Sequence, residues 1–280
     1  MLQHLDSIIN LALVEDLGNG DHTSLATIPI DKEGKAHLLV KEEGILAGVP
    51  VAVEIFQKID SKLSVDIKIN DGAHIKKGDI VFEVKGPVIS ILSAERTVLN
   101  FMQRLSGVAT NAYRLSSLLK GMHTRILDTR KTTPGMRELE KYAVAIGGCE
   151  NHRMGLWDMI MIKDNHIDYA GGIAKAIKAA KNYLETKKMN LKIEIEVRNM
   201  SELEEALETG NVDRVMLDNF SPDDLKKAVD FVNGRVETEA SGGINETNII
   251  EYASSGVDYI SVGSLTHHVK SLDLSLKAIK

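Results

Sequence analysis

"LKIEIEVRNMSELEEALETGNVDRVMLDNFSPDDLKKAVDFV", residues 191–232, decides the fold. Two short β-favouring runs, "LKIEIEV" and "RVMLD", are each followed by a segment of helical periodicity, "SELEEALETG" and "SPDDLKKAVDFV". Strands with this near-continuous apolar character belong to a parallel sheet covered by helices, because connecting parallel strands through helices buries the sheet on both faces. The helix starts carry their own marks. Ser201 stands three residues before Glu204 as a capping box, and Pro222 follows Ser221 where a first-turn proline is tolerated.

The same alternation extends both ways. Upstream, "RILD" precedes "RELEKYAVAIGG", and "DMIMIK" precedes "GGIAKAIKAAKNYL"; downstream, "RVETEASGG" precedes "NETNIIEYASSG", and "DYISVGS" precedes a predicted terminal helix. Repeated βα units without a reversal predict an α/β fold built on an incomplete β/α barrel, with six strands in place of the full eight.

Before this series, "KAHLLVKEEGILAG", "SVDIKIN" and "DIVFEVKG" are separated by turns such as Asn70 to Gly72, which predicts a small, largely antiparallel sheet entered through a helix at about Leu2 to Glu15. Between the two parts, "SAERTVLNFMQRLSGVATNAYRLSSLLKG" spaces Val98, Leu99, Met102 and Leu105 as a helix face. Ser93 is its predicted N-cap, Gly121 its stop, and Arg96 falls in its first turn.

Composition narrows the partners. The chain has 280 residues, 43% hydrophobic and 26% charged, with a net charge of −6. A net acidic surface repels polyanions, so neither nucleic acid nor a membrane surface is an expected partner, and any anion site must be local. A lone cysteine, Cys149, excludes an internal disulfide and a CxxC metal site and fits a reducing compartment. The N-terminal stretch lacks a basic region followed by an apolar run, so the expectation is a cytoplasmic protein.

In β/α barrels chemistry sits at the C-terminal strand ends. There the sequence places Asp128, Arg130 and Lys131; His152 and Arg153; Lys163, Asp164 and His166; Glu194 and Glu196; and Asp218. Cations brought together in a partly desolvated pocket repel one another unless the ligand is an anion. The last two strands end in Ser241-Gly242-Gly243 and Val262-Gly263-Ser264, turns suited to a phosphate. Glu196 and Asp218 could accept sugar hydroxyls or hold Mg²⁺ with its waters. Together these features ask for a phosphorylated sugar and a second, carboxylated anion.

Each piece has a plainer reading. Arg130 and Lys131 could be a solvated ion-pair edge, Glu194 and Glu196 an exposed strand face, Cys149 a small buried residue, and Lys163 a Schiff-base lysine. Their convergence on one end of one barrel favours the site.

Several segments together resemble the quinolinate phosphoribosyltransferases: "EDLGNGDHTS", "SAERTVLNFMQRLSGVAT", "DTRKTTPGMRELEKYAVAIGG", "NHRMGLWDMIMIKDNH", "EIEV", "LDNF", "EASGGI" and "GVDYISVGSLTHH". The resemblance implies an N-terminal α/β sandwich domain over 1–105, completed by a C-terminal helix over 268–280, and a phosphoribosyltransferase barrel over 106–267. It implies a homodimer or higher oligomer in which Arg96 reaches the partner's site. It also implies that Arg130, His152, Arg153 and Lys163 bind quinolinate, that Lys131 lies near phosphoribosyl pyrophosphate, and that Thr129 is a further substrate-binding residue. Glu196 and Asp218 would lie near the ribose and Mg²⁺, directly or through water. Ser241, Gly242, Gly243, Val262, Gly263, Ser264 and His267 would cradle the 5′-phosphate. Lys131, Lys163, Glu196 and Asp218 are the expected catalytic residues.

Overall fold

The computed structural model describes residues 4–279. It divides into two compact units, the first comprising Met1–Arg114, Thr132–Gly148 and Leu265–Lys280, the second Leu115–Lys131 and Cys149–Ser264. This division runs inside a helix, and residues 132–148 join the first unit.

In the first unit, α1 (Leu5–Leu17) and α2 (His22–Thr27) precede β1 (Glu33–Val40), β2 (Gly44–Ile45), α3 (Val49–Ile59), β3 (Ser64–Ile67), β4 (His74–Ile75) and β5 (Ile80–Pro87). The predicted entry helix therefore starts and ends slightly later than expected, and Leu2 lies outside the described residues. Helix α3 falls outside the elements predicted from sequence. Its "VPVAVEIF" run turns Val51, Ala52, Ile55 and Phe56 into the core, where Phe56 meets Phe82 of β5 edge to face at 5.8 Å.

The C-terminus corrects an expectation. Residues 274–279 form a strand, not a helix, and pair antiparallel with β1, Leu276 opposite Leu38. Leu272, Leu274 and Leu276 recur at every second position and are buried, which is the period of a strand. The antiparallel sheet, with this strand at one edge, then β1, β5 and β3, matches the predicted topology in its other members.

Helix α4 (Val88–Leu118) starts five residues before Ser93, directly after the last residue of β5, so Ser93 is not its N-cap and Arg96 lies in its third turn. The Ser93 hydroxyl instead donates to Asp21. Gly107 lets α4 approach the C-terminal segment: a Cβ there would lie 2.3 Å from the carbonyl oxygen of Lys270.

The second unit holds the barrel strands β6 (Arg125–Leu127), β7 (Ile160–Ile162), β8 (Ile193–Val197), β9 (Arg214–Asp218), β10 (Glu237–Ser241) and β11 (Tyr259–Ser261). Their order is β6-β11-β10-β9-β8-β7, parallel throughout, an incomplete barrel as expected. The helices of the series are α5 (Arg137–Ile146, in the first unit), α6 (Asp164–Ala170), α7 (Ile173–Lys187), α8 (Met200–Thr209), α9 (Pro222–Val232), α10 (Ile249–Ala253) and α11 (Ser264–His267). The terminal strand is β12 (Leu274–Ile279). Pro222 opens α9 behind Ser221, whose hydroxyl accepts the amide of Asp224. Helix α8 begins earlier than Ser201 suggests. Asn199 is its N-cap, accepting from the Glu202 amide, while Glu202 accepts the amide of Arg198. Every residue of β8 is buried, which removes the exposed-face reading of Glu194 and Glu196.

Candidate active site

The strand ends of the second unit enclose a cavity of about 210 Å³. It is lined by Thr129, Arg130 and Lys131 after β6, by His152, Arg153 and Lys163, and by Ser241, all drawn from the sequence-derived set. Asp128, Met161, Met216, Glu239 and Ser261 complete the wall. Of these, Glu239 lies outside the predicted set although the sequence carries a signal for it: it repeats Glu237 at period two in "ETEAS", and it is fully buried. The two methionines give no sequence signal beyond being apolar.

Local geometry fixes the cations. Buried Asp128 accepts the amide of His152 at 2.8 Å, and the strand hydrogen bonds from Asp128 and Glu150 join β6 to this loop. Asp158 accepts the amides of Met154 and Gly155, shaping the loop from which Arg153 donates to the carbonyl of Met159 at 3.1 Å. Burial, and then the neighbouring charge of Arg130, pull the Arg153 guanidinium below its ordinary value. Two guanidinium groups that disfavour each other in one cavity are stabilised by an anion between them. Lys163 stands at the start of α6, its amide accepted by His166 Nδ1, and its Nζ donates to Glu196 Oε2 at 2.9 Å.

A second layer lies deeper in the barrel. His152 Nε2 is 3.0 Å from Glu194 Oε2 and 3.3 Å from Glu239 Oε2, and Arg214 donates to Glu239 at 2.9 Å. Burial opposes the His152 charge, but the two carboxylates outweigh it and push the ring up to about 9. Burial and the adjacent Glu239 charge raise Glu194 above the ordinary carboxylate range. Cys149 is buried, its thiol pushed up to about 12 by desolvation and by the charges of Asp128 and Glu150, so it is no nucleophile.

Asp218 ends β9 opposite Ser241 of β10 and accepts from the Asn219 side chain at 2.6 Å. Gly242, at φ +102°, admits only glycine: a Cβ would stand 2.2 Å from Asn219 Oδ1. The amide of Val262 is spent on the carbonyl of Leu127. Gly263 and Ser264 follow it into α11. Arg96 and His267 belong to the first unit.

Fold and cavity define a class, a β/α-barrel protein with arginines and lysines gathered around a cavity at its strand ends. Within that class the chain belongs to the quinolinate phosphoribosyl transferase family, whose N-terminal domain matches residues 21–106 and whose C-terminal domain matches residues 108–277. It is 47% identical over 288 aligned residues to the mitochondrial decarboxylating quinolinate phosphoribosyltransferase 2a of Nicotiana tabacum, covering 98% of this chain and 82% of that one. Among solved structures it is similar to NadC from Streptococcus pyogenes, with a TM-score of 0.94, 38% identity, and coverage of 100% and 99% of the two chains. The nicotinate-nucleotide pyrophosphorylase of Francisella tularensis gives a TM-score of 0.93 at 42% identity, covering 100% of this chain and 97% of that one.

Proposed function

We infer that this cavity carries out the family's reaction in the chain. The protein is a carboxylating nicotinate-nucleotide pyrophosphorylase of NAD biosynthesis. It transfers the phosphoribosyl group of phosphoribosyl pyrophosphate to the ring nitrogen of quinolinate, with decarboxylation, giving nicotinate mononucleotide, pyrophosphate and CO₂. The observation that supports placing it here is the crowding of Arg130 against Arg153, which a dicarboxylate relieves.

In this reading Arg130 takes one carboxylate in bidentate contact and Arg153 the other, while Lys163 moves from Glu196 to the ligand. The transfer passes through an oxocarbenium-like sugar, so the side chains contribute positioning and charge rather than a covalent nucleophile. Thr129 and Lys131 face the phosphoribosyl donor. Ser241, Gly242 and Gly243, with the turn after Val262 at Gly263 and Ser264, hold its 5′-phosphate, and His267 adds to that cradle. Alkylation of the ring nitrogen makes the pyridine an electron sink, so the carboxylate next to it leaves after transfer.

Glu196 and Asp218 offer hard carboxylate oxygens at adjacent strand ends, a donor set that fits Mg²⁺ held with its waters. When bound, that ion neutralises the departing pyrophosphate. We further place Arg96 in the quinolinate pocket of a partner subunit in a homodimer or larger assembly, and the protein in the cytoplasm. Among the described residues, no helix is long and apolar enough to cross a membrane.

Calorimetric titration with quinolinate and with nicotinate tests the assignment. Quinolinate should bind at least tenfold more tightly, since the monocarboxylate forgoes one charge-assisted arginine contact of about 1.5–3 kcal/mol. Equal affinities would remove the two-arginine reading.

A further inference from the structure

Arg104 of α4 is the meeting point of three stretches of the first unit. Its Nε and one terminal nitrogen donate to Glu140 Oε1 of α5 at 3.0 and 2.7 Å. The same terminal nitrogen donates to the carbonyl of Thr266 at 2.6 Å, and the other donates to the carbonyl of Val269 at 3.3 Å. Glu140 is fully buried, and it accepts the Thr133 hydroxyl on Oε1 at 2.8 Å and the Thr133 amide on Oε2 at 3.0 Å. One guanidinium and one carboxylate thereby tie the chain just after Lys131 to the chain just before His267, two stretches far apart in sequence.

We propose that Arg104 and Glu140 are positioning residues of this enzyme, which set the phosphoribosyl-donor half of the site by fixing the main chain beside Lys131 and His267. The proposal rests on the donor-binding roles given above to those two residues. Its basis is what each end of the clamp holds. Helix α11 has only four residues, so its last carbonyls lack partners within the helix, and Arg104 takes the one immediately before His267. Thr133 lies two residues after Lys131 in a segment without regular structure, where Glu140 fixes it through both its amide and its hydroxyl. The planar fork of a guanidinium holds an acid and two carbonyls in one geometry, which a lysine ammonium does not.

Stability alone gives little reason for such a pair. The acid is buried and the arginine side chain only 24% exposed, so desolvation offsets much of the attraction, and apolar residues of similar volume would fill the place as well. They would not hold Thr133 or the Thr266 carbonyl, and a small misplacement of a substrate-positioning group carries a large kinetic cost. The quinolinate half is held by other contacts: Arg153 donates to the carbonyl of Met159, and the Asp128 amide donates to the carbonyl of Glu150. Loss of the clamp therefore falls on the phosphoribosyl donor.

The test is the double variant Arg104→Met, Glu140→Leu of the full chain, which keeps the volume and removes the clamp. Urea unfolding, steady-state kinetics with phosphoribosyl pyrophosphate and calorimetry with quinolinate are measured on it. The urea midpoint should stay near that of the unmodified protein, KM for phosphoribosyl pyrophosphate should rise roughly tenfold or more, and the quinolinate Kd should stay within about twofold. An unchanged KM, or an equal loss of affinity for both substrates, would overturn the proposal. Should the double variant fail to fold, Thr133→Val removes one hydroxyl of the clamp and carries the same readout: a several-fold rise in that KM at constant quinolinate Kd supports the proposal, and no rise overturns it. Unmodified protein that makes no nicotinate mononucleotide would defeat the reading of the site and this proposal with it, whereas unmodified protein that turns over, with variants that match it, would defeat the proposal alone.

Discussion

Lys163 Nζ and Glu196 Oε2 stand 2.9 Å apart, so a cation and an acid expected to serve different substrates are paired with each other. Lys163 is 45% exposed in its side chain and Glu196 10%, so the lysine is the mobile member. Replacing Glu196 with Gln releases Lys163 and removes a carboxylate proposed to hold Mg²⁺. Quinolinate affinity should hold or rise, while kcat falls by roughly 10²-fold, the scale for losing one transition-state electrostatic group. Calorimetry with quinolinate and steady-state kinetics measure the two effects; a parallel loss of quinolinate affinity would mean that Glu196 shapes the quinolinate pocket itself.

On the proposed reading, Arg130 and Arg153, which both line the cavity, carry the dicarboxylate. Arg130→Lys keeps the charge and loses the planar fork, so quinolinate KM should rise by roughly 10- to 100-fold, corresponding to about 1.5–3 kcal/mol. The KM for phosphoribosyl pyrophosphate should change much less. A rise shared equally between both substrates would place Arg130 elsewhere.

Glu140 of α5 is fully buried and accepts two hydrogen bonds from Arg104 of α4, at 3.0 and 2.7 Å, and two more from Thr133. Arg104 also donates to the Thr266 carbonyl at 2.6 Å. Glu140→Ala strands the guanidinium among those groups, and the expected loss is about 3–5 kcal/mol of unfolding free energy by urea titration. A loss below about 1 kcal/mol would show that water or a rotamer change replaces the acid.

Asp258 supplies an acid-sensitive stability term. Burial raises its carboxyl, but hydrogen bonds from His123 and from the amide and hydroxyl of Thr238 outweigh that and hold it below the usual range. A depressed folded value means that the unfolded chain takes up the proton first. The contribution is therefore present above the unfolded value of about 3.9 and lost as pH falls through the lower folded value. Asp258→Asn should be less stable than the unmodified protein at pH 7, and the gap should narrow below about pH 4. Urea midpoints across that range would show it; a gap independent of pH would assign the loss to packing.

Much of the barrel is legible in the sequence because a strand followed by a helix leaves a local trace. Pro222 behind Ser221 marks α9 correctly. Where two caps compete, as Asn199 and Ser201 do, the choice depends on which amide the folded loop presents, and Asn199 prevails. The terminal segment shows a strand period in Leu272, Leu274 and Leu276, but that run is short and its partner β1 is far away in sequence, so local pattern alone does not choose strand over helix there. At the site, charged strand ends identify Arg130, Arg153 and Lys163, since charge at a predicted strand terminus needs explaining. Met161 and Met216 are apolar residues on apolar strands, so only their placement shows that they face the ligand cavity. Pairings such as Lys163 with Glu196 depend on the register of β7 and β8, which periodicity does not determine.

The central claim is the reaction itself. Purified protein is incubated with phosphoribosyl pyrophosphate, Mg²⁺ and either quinolinate or nicotinate, and nicotinate mononucleotide and CO₂ are quantified together. The account predicts equal amounts of both products from quinolinate and none from nicotinate. Nicotinate mononucleotide formed from nicotinate alone, or no product from either acid, would contradict it.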